Sequence, residues 1–135
     1  MTYRLIIAGS RNAQNPNIER IIDAEVKHLS GTFDVEIVTG DSGNVDGTGN
    51  KYAIKNGHNL MRFNAKWKDG LRAGPARNRE MANYANGLLA FWDRKSRGTM
   101  NMIQEAMKRD LKVNVYDLIN NCYMGIDEWT ELTKK

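Results

Sequence analysis

Five short apolar runs, separated by amphipathic or glycine-containing stretches, constrain the fold of this chain more than any other feature. They are Tyr3 to Ala8, Val35 to Thr39, Asn59 to Phe63, Leu88 to Trp92 and Lys112 to Tyr116. Strands that alternate with helices lie parallel, because a crossover helix returns the chain to the same end of the sheet. Such crossovers are right-handed and place helices on both faces. The pattern therefore predicts an α/β fold, a three-layer Rossmann-like domain with a mainly parallel, roughly five-stranded sheet.

Capping residues, glycine and proline predict where the helices begin and end. Asn15 and Pro16 suit the cap and first position of a helix that ends at Gly31. A second helix is predicted after the glycine-rich turn that begins at Gly40, and it ends at Gly57. Two more are predicted from Pro75 through Tyr84 and around Met100 to Met107. The last stretch is polar, and we expect residues 117–135 to form a C-terminal tail or a short helix.

Length and composition describe a single domain over residues 1–135 with a modest excess of positive charge. Its 20 Lys and Arg residues outnumber 16 Asp and Glu residues, which gives a formal net charge of +4. One cysteine excludes a disulfide framework within the chain, and the first residues lack a signal-peptide pattern. No apolar run is long enough to span a bilayer. We therefore expect a cytoplasmic protein without a membrane partner.

Familiar nucleotide and metal signatures are missing from the sequence. The segment from Gly40 to Gly49 lacks the Gly-Lys-Ser/Thr of a P-loop, and the first strand is followed by GSRNAQ rather than by three spaced glycines. His28 and His58 are isolated, without the spacing of metal ligands. We therefore expect neither a cofactor nor a metal ion.

Two other motifs combine small residues with phosphate-seeking residues where a strand gives way to a helix. They are GPARNREM at Gly74 to Met81 and FWDRKSRGT at Phe91 to Thr99. A helix N-terminus favours an anion, because its first N–H groups are unpaired and the helix dipole is positive there. The expected partner is a phosphorylated small molecule, a nucleotide or a derivative of one.

Several ordered motifs carry a resemblance to a known superfamily. They are IIAGSRN, VTGDSGNVDGTGNKYA, FNAKW, AGPARNREM and FWDRKSRGT, and the resemblance covers almost everything from Leu5 to Tyr116. The chain resembles the SLOG superfamily, which holds the LOG cytokinin-activating phosphoribohydrolases and the DprA DNA-processing proteins. Within it, the chain is most similar to the small YspA-like proteins of bacteria and phages. The resemblance implies a binding crevice at the carboxyl ends of the strands, and pairing into a homodimer or higher homo-oligomer.

The loops after the first two strands are predicted to contact the ligand. Their predicted ligand-binding residues are Gly9, Ser10, Arg11, Gly40, Gly43 and Asp46. The glycines allow close approach of a ligand to the backbone, and Arg11 reaches a phosphate. A tight turn with a solvent-facing arginine is the alternative for the first loop. Asp46 either accepts a hydrogen bond from a ribose hydroxyl or caps the helix that follows it.

The two later motifs supply the remaining ligand contacts. Their predicted ligand-binding residues are Gly74, Arg77, Asn78, Ser96, Gly98 and Thr99. Arg77 and Asn78 are expected to project toward the crevice from a helix N-terminus. Ser96, Gly98 and Thr99 are expected to cradle a phosphate before the helix that carries Met100.

A catalytic role for Arg77 is implied by the resemblance, since Arg77 aligns with an arginine important to glycosidic cleavage in the LOG enzymes. The alternative is a surface arginine paired with Glu80 or Asp93. Met102 stands where the LOG enzymes have a catalytic glutamate, so the phosphate site looks retained while that acid is lost. Asp93, at the end of the fourth strand, is the nearby carboxylate that would replace it. The alternatives for Asp93 are a hydrogen bond from a ribose hydroxyl and an ion pair with Arg77.

Three functions follow as hypotheses. The leading one is binding of a nucleotide or nucleotide-derived molecule, as a sensor, carrier or sequestering protein. The first alternative is a nucleoside-monophosphate N-glycosidase with Arg77 and Asp93 as its catalytic residues. The second is DprA-like nucleic-acid binding, and the lack of a basic tail or continuous Lys/Arg block argues against it. We therefore expect no nucleic-acid partner.

Overall fold

A six-stranded sheet forms the centre of the computed structural model, which describes residues 1–134. The strands are β1 (Thr2–Gly9), β2 (Asp34–Thr39), β3 (Asn59–Arg62), β4 (Gly87–Trp92), β5 (Lys112–Asp117) and β6 (Cys122–Tyr123). Their order is β3-β2-β1-β4-β5-β6, with β1 to β5 parallel and β6 antiparallel to β5. The predicted fold class is confirmed, with one short strand beyond the five expected.

Helices cover both faces of this sheet. They are α1 (Ile18–Ser30), α2 (Gly43–Lys55), α3 (Ala73–Tyr84), α4 (Arg97–Lys108) and α5 (Ile126–Leu132), and a 3-10 segment spans Trp67–Arg72. The first two helices pack on one face, and the last three pack on the other. None of the helices in the described residues is long and apolar enough to cross a membrane.

Side chains along the central strands point alternately to the two faces of the sheet, and each face has its own hydrophobic core. In β1, Leu5 and Ile7 contact α1 and α2, whereas Ile6 and Ala8 face α3 and α4. All six residues of β4 are buried, because this strand has a neighbour on each side and helices above and below. A continuous apolar run is typical of such a strand.

Two helix boundaries differ from those expected, for local reasons. The helix α1 begins at Ile18, because the Asn15 side chain accepts a hydrogen bond from the Asn17 amide at 2.9 Å and forms a turn before the helix. Pro75 lies within the first turn of α3, which begins at Ala73. Proline is tolerated there because the first helical N–H groups have no partner to lose.

The C-terminal segment is an integral part of the domain, beyond the tail or short helix expected. It forms β6 and α5, and Trp129 of α5 is buried in the core against α4. Arg94, just after β4, adopts a left-handed backbone with φ of 70°. Its guanidinium contacts the carboxylates of Asp117 and Glu128, each at 2.7 Å. This arginine therefore ties the ends of β4 and β5 to α5.

Gly9 is predicted to be indispensable for close packing at the end of β1. A Cβ at this position would lie 2.7 Å from the Phe91 carbonyl oxygen and 2.7 Å from a Val45 methyl carbon. Overpacking of this kind costs about 1–3 kcal/mol. We expect Gly9→Ala to lower the free energy of unfolding by that amount in urea denaturation.

Gly47→Ala is the matched control for this prediction. Gly47 lies within α2, and a Cβ there meets no atom within 4 Å. Because alanine favours the helix over glycine, this variant should be more stable by up to about 1 kcal/mol. Equal stability of the two variants would contradict the packing argument.

Candidate functional site

A cleft of about 1140 Å³ opens at the carboxyl ends of β1 and β4. Chain order reverses between these two strands, and in open α/β sheets ligands bind where that reversal leaves a crevice. Eleven of the thirteen predicted site residues line the cleft, while Gly40 and Gly43 do not. The topology therefore brings together loops that are far apart in sequence.

A hydrogen-bond network joins the ends of β1 and β4 at the floor of the cleft. The Ser10 hydroxyl oxygen accepts from the Asp93 amide at 3.3 Å and from the Ser96 hydroxyl at 2.9 Å. The Asp93 carboxylate accepts from the Lys95 and Ser96 amides at 2.9 and 2.7 Å. Ser10 is buried and has this structural role, and its role as a ligand contact stays a prediction.

Asp93 is held in its ionised form. Partial burial alone would raise the pKa of this carboxyl, but hydrogen bonds from the Ser96 and Lys95 amides and from the Ser96 and Ser10 hydroxyls outweigh it, so the pKa lies below its ordinary value. A general acid must carry a proton at the working pH. Asp93 can therefore stabilise positive charge, but it is poorly suited to donate a proton.

Three predicted glycines are explained by contacts within the protein. Gly9 admits Val45 and the Phe91 carbonyl, as described above. At Gly40, a Cβ would lie 2.4 Å from an Arg77 guanidinium nitrogen, so the absence of a side chain makes room for that arginine. Gly43 has φ of 87° and packs against the backbone of Arg11, a conformation that favours glycine. These glycines position other parts of the site.

Arg77 reaches into the cleft from α3 and is fixed at both ends of its guanidinium. One terminal nitrogen donates to the Gly40 carbonyl at 2.7 Å, and Nε donates to the Asn78 side chain at 3.0 Å. Burial lowers the pKa of Arg77, which the nearby charge of Asp46 partly offsets. The alternative of a surface arginine paired with Glu80 or Asp93 does not describe this geometry.

Asn78 links Arg77 to the start of α4. Its buried carboxamide donates to the Gly98 carbonyl at 3.2 Å and to the Asn101 side chain at 2.9 Å, while its oxygen receives the Arg77 bond. Asn78 therefore orients the arginine relative to the first turn of α4.

The first turn of α4 faces the cleft with free backbone donors. The first helical bond runs from the Met100 amide to the Ser96 carbonyl, so the amides of Arg97, Gly98 and Thr99 precede the hydrogen-bonded ladder. A Cβ at Gly98 would meet nothing within 4 Å, so the backbone is open to a ligand there. Met102 is buried and borders the cleft, so an apolar side chain lies at this position.

Asp46 is the carboxyl group of the cleft that titrates near neutral pH. It is 5% exposed, and its carboxylate accepts from the Ser42 amide at 3.0 Å. Burial raises the pKa of Asp46 to about 7, although the Ser42 amide and the Arg77 charge both favour ionisation. Asp46 lies within α2 rather than before it, so it does not cap a following helix, but it accepts from the amide of Ser42, which precedes α2, and it also lines the cleft.

The 3-10 segment forms the rim of the cleft, of which the sequence indicated only Trp67, as a packing residue or as a cover for a base. Trp67 and Leu71 line the cleft and are 50% and 94% exposed. The Arg11 guanidinium lies over the Trp67 indole at 5.1 Å from the ring centroid. Arg97 also lines the cleft. Only the irregular composition around Trp67 hinted at a functional loop.

Among residues 1–134, no group of three or more His, Cys, Asp or Glu side chains comes together as a metal site.

Comparison with solved structures relates the fold to a known one. The chain is similar to DNA processing protein A (DprA) from Streptococcus pneumoniae, with a TM-score of 0.67 and 17% identity over 98% of this chain and 54% of that one. It is also similar to DprA from Helicobacter pylori, with a TM-score of 0.69 and 18% identity over 96% of this chain and 72% of that one. No family model and no curated protein sequence matches the chain. The three-layer fold is therefore shared with DprA, and the chain spans about half of the S. pneumoniae protein.

The expectation of no nucleic-acid partner, which rested on the lack of a basic tail or Lys/Arg block, is contradicted by this comparison. The H. pylori structure is described by its single-stranded DNA binding mode. A protein of the same fold therefore binds nucleic acid.

The buried Asp46 carboxyl predicts a specific pH dependence of stability. Its pKa of about 7 in the folded protein exceeds the ordinary value of 3.8, so the folded state binds more protons between these two pH values. Stability is then lost as the pH rises from about 4 to about 7. Asp46→Asn removes this titration but keeps an acceptor for the Ser42 amide.

We expect Asp46→Asn to gain stability relative to the parent protein across this pH range, by up to about 4 kcal/mol, since one pKa unit corresponds to about 1.4 kcal/mol. Urea unfolding of both proteins at pH 4 to 8 measures the difference, in which all other titrating groups cancel. Parallel stability curves would show that Asp46 keeps its ordinary pKa.

Proposed function

We propose that the cleft binds single-stranded nucleic acid through its backbone phosphates. The observation that carries the proposal is the set of cationic groups on one open surface. Arg11, Arg77 and Arg97 line the cleft, and none of them forms a salt bridge within residues 1–134. Phosphate contacts supply most of the non-specific affinity of proteins for nucleic acid.

The carboxyl groups of the cleft cancel only part of this positive charge. Asp46 is partly protonated near neutral pH, since its pKa is raised to about 7 by burial. Asp93 is ionised, and its Oδ1 accepts hydrogen bonds from the Lys95 and Ser96 amides. The arginines and the first-turn amides of α4 therefore dominate the field that a phosphate meets.

The size of the cleft supports a ligand larger than one small molecule. Its volume of about 1140 Å³ exceeds the range of about 300–1,000 Å³ for pockets that enclose drug-sized ligands. The rim at Trp67 is exposed, so a strand can continue beyond the cleft on that side. The shared fold with a single-stranded DNA binding protein adds further support.

Removal of two exposed arginines should weaken this binding in a salt-dependent way. Arg11 and Arg97 are exposed and line the cleft, so the double variant Arg11→Ala/Arg97→Ala should fold normally. Each phosphate contact contributes about 0.7 to the slope of log affinity against log salt for single strands. We expect the double variant to lower that slope by about 1.4 in fluorescence anisotropy with labelled oligo(dT).

Lys112→Ala is the control, because it removes one positive charge, as each arginine substitution does. Lys112 is exposed at the amino end of β5, at the opposite edge of the sheet from the cleft. Its loss should leave both the affinity and the salt slope nearly unchanged. Equal losses in Lys112→Ala and in the arginine variants would mean that the cleft is not the binding surface.

The opposed pKa shifts of Asp46 and Asp93 favour a second candidate, in which a free nucleoside monophosphate is bound and then cleaved. Two carboxyls whose environments push their pKa values apart are the usual arrangement of an acid and an ionised partner. Water would add to the anomeric carbon as the glycosidic C–N bond breaks, and the departing base nitrogen would take the Asp46 proton. The water proton would return to Asp46, while the ionised Asp93 stabilises the positive charge that develops on the sugar and Arg77 contacts the phosphate.

Native mass spectrometry with a mixture of nucleoside monophosphates, deoxynucleotides, NAD, ADP-ribose and cyclic dinucleotides separates these candidates. A retained intact nucleotide would indicate a small-molecule binder, and accumulation of free base would indicate the hydrolase. Base release should then be lost in Asp46→Asn. If no small ligand is retained or cleaved while oligo(dT) binds, only the nucleic-acid function remains.

A further inference from the structure

The rim of the cleft contains an exposed aromatic surface that no phosphate contact uses. Trp67 and Leu71 project from the 3-10 segment and are 50% and 94% exposed. Trp92 and Trp129, the other tryptophans of the chain, are 2% and 5% exposed and belong to the core. Trp67 therefore differs from them because its indole lies at the rim of the cleft and is accessible to a ligand.

The position of the Trp67 ring is set by its neighbours. The ring edge lies over Gly74, where an added Cβ would be 3.5 Å from the indole. On one side the Arg11 guanidinium lies 5.1 Å from the ring centroid. The segment bends at Gly70, whose φ of 80° and ψ of −153° are accessible mainly to glycine. The bend and these contacts hold an apolar ring at the mouth of a polar cleft.

We propose that Trp67 is a base-stacking platform, on which a nucleobase lies while the adjoining phosphate contacts Arg11. This inference rests on the proposed function and names how the same cleft recognises its ligand. Aromatic side chains are common stacking surfaces for single strands, because every base has a π face. Leu71 extends the apolar surface beside the ring, and both residues share the cleft with the arginines.

The chemistry of the surroundings favours a base over a protein side chain as the occupant. The apolar rim consists of two side chains, which is small for a protein-docking surface. The lining beside it includes amide, hydroxyl and guanidinium groups, among them those of Ser10, Arg11 and Asn12. A nucleotide matches this pattern, because it joins a flat apolar face to an anion.

Trp67→Ala should weaken binding of base-bearing strands only. The probes are oligo(dT) and an abasic oligodeoxynucleotide of the same length and charge. For oligo(dT), we expect the affinity to fall by about 5- to 150-fold, the range for stacking on one aromatic side chain. For the abasic strand, the affinity should be unchanged. Trp67→Phe should restore part of the affinity for oligo(dT).

Intrinsic fluorescence gives a second readout on the unlabelled protein. Because Trp67 is the exposed tryptophan, stacking should quench its emission when oligo(dT) is added, and the abasic strand should quench it far less. Ile54→Ala is the control, since Ile54 is an exposed apolar residue in the last turn of α2 and outside the cleft. It should behave like the parent protein in both assays.

Three results would overturn the platform. If Trp67→Ala leaves oligo(dT) affinity unchanged while Arg11→Ala/Arg97→Ala reduces it, the proposed function stands and the platform is wrong. If Trp67→Ala weakens both probes equally, the ring only holds Arg11 in place. If the parent protein binds neither probe, nucleic-acid binding fails, and the platform fails with it.

Discussion

The close contact between β1 and β4 is the constraint on which the rest of the structure depends. These strands pair in parallel, and at Gly9 the backbone of β4 comes so near that a single methyl group would collide with the Phe91 carbonyl. Chain order reverses at this junction, so the loops that follow both strands diverge and leave a cleft between them. The Ser10, Asp93 and Ser96 network then fixes the two strand ends to each other. The cleft therefore has a rigid floor, and it lies where β1 and β4 pack too closely at Gly9 for any larger residue.

Arg77 places a fixed positive charge in this cleft. A buried guanidinium needs its donors satisfied, and here the Gly40 carbonyl and the Asn78 carboxamide satisfy two of them. Since Asn78 also contacts the start of α4, the arginine and the helix N-terminus keep a fixed spacing. Asp46 lies near enough to influence the pKa of Arg77, but its own burial favours the protonated form. The site therefore stays cationic at neutral pH without an exposed cluster of lysines.

Much of this architecture could be predicted from the sequence, because strands and crossover helices have strong periodic signals. The motifs around Gly9, Arg77 and Ser96 also indicated where the cleft lies. The partners of their side chains could not be predicted: spacing along the chain does not reveal that Gly40 makes room for Arg77, nor that burial shifts the pKa of Asp46. For a similar reason, the sequence predicted only a tail or a short helix for the C-terminal segment, and neither β6 nor the core packing of α5. Its anchor is the Arg94 contact with Asp117 and Glu128, which depends on tertiary structure alone.

The cleft is better equipped to hold a strand than to select a sequence. Sequence is distinguished by hydrogen bonds to base edges, whereas phosphate contacts only position a strand. Two amide side chains of the cleft are engaged within the protein: Asn78 contacts Arg77 and Asn101, and Asn15 contacts Asn17 and Asn121. The groups on which the proposed binding rests are arginines, helix amides and one exposed indole, and all of these tolerate any base. Such a site would bind single strands generally, and any selectivity would come from base stacking and from the flexibility of the strand.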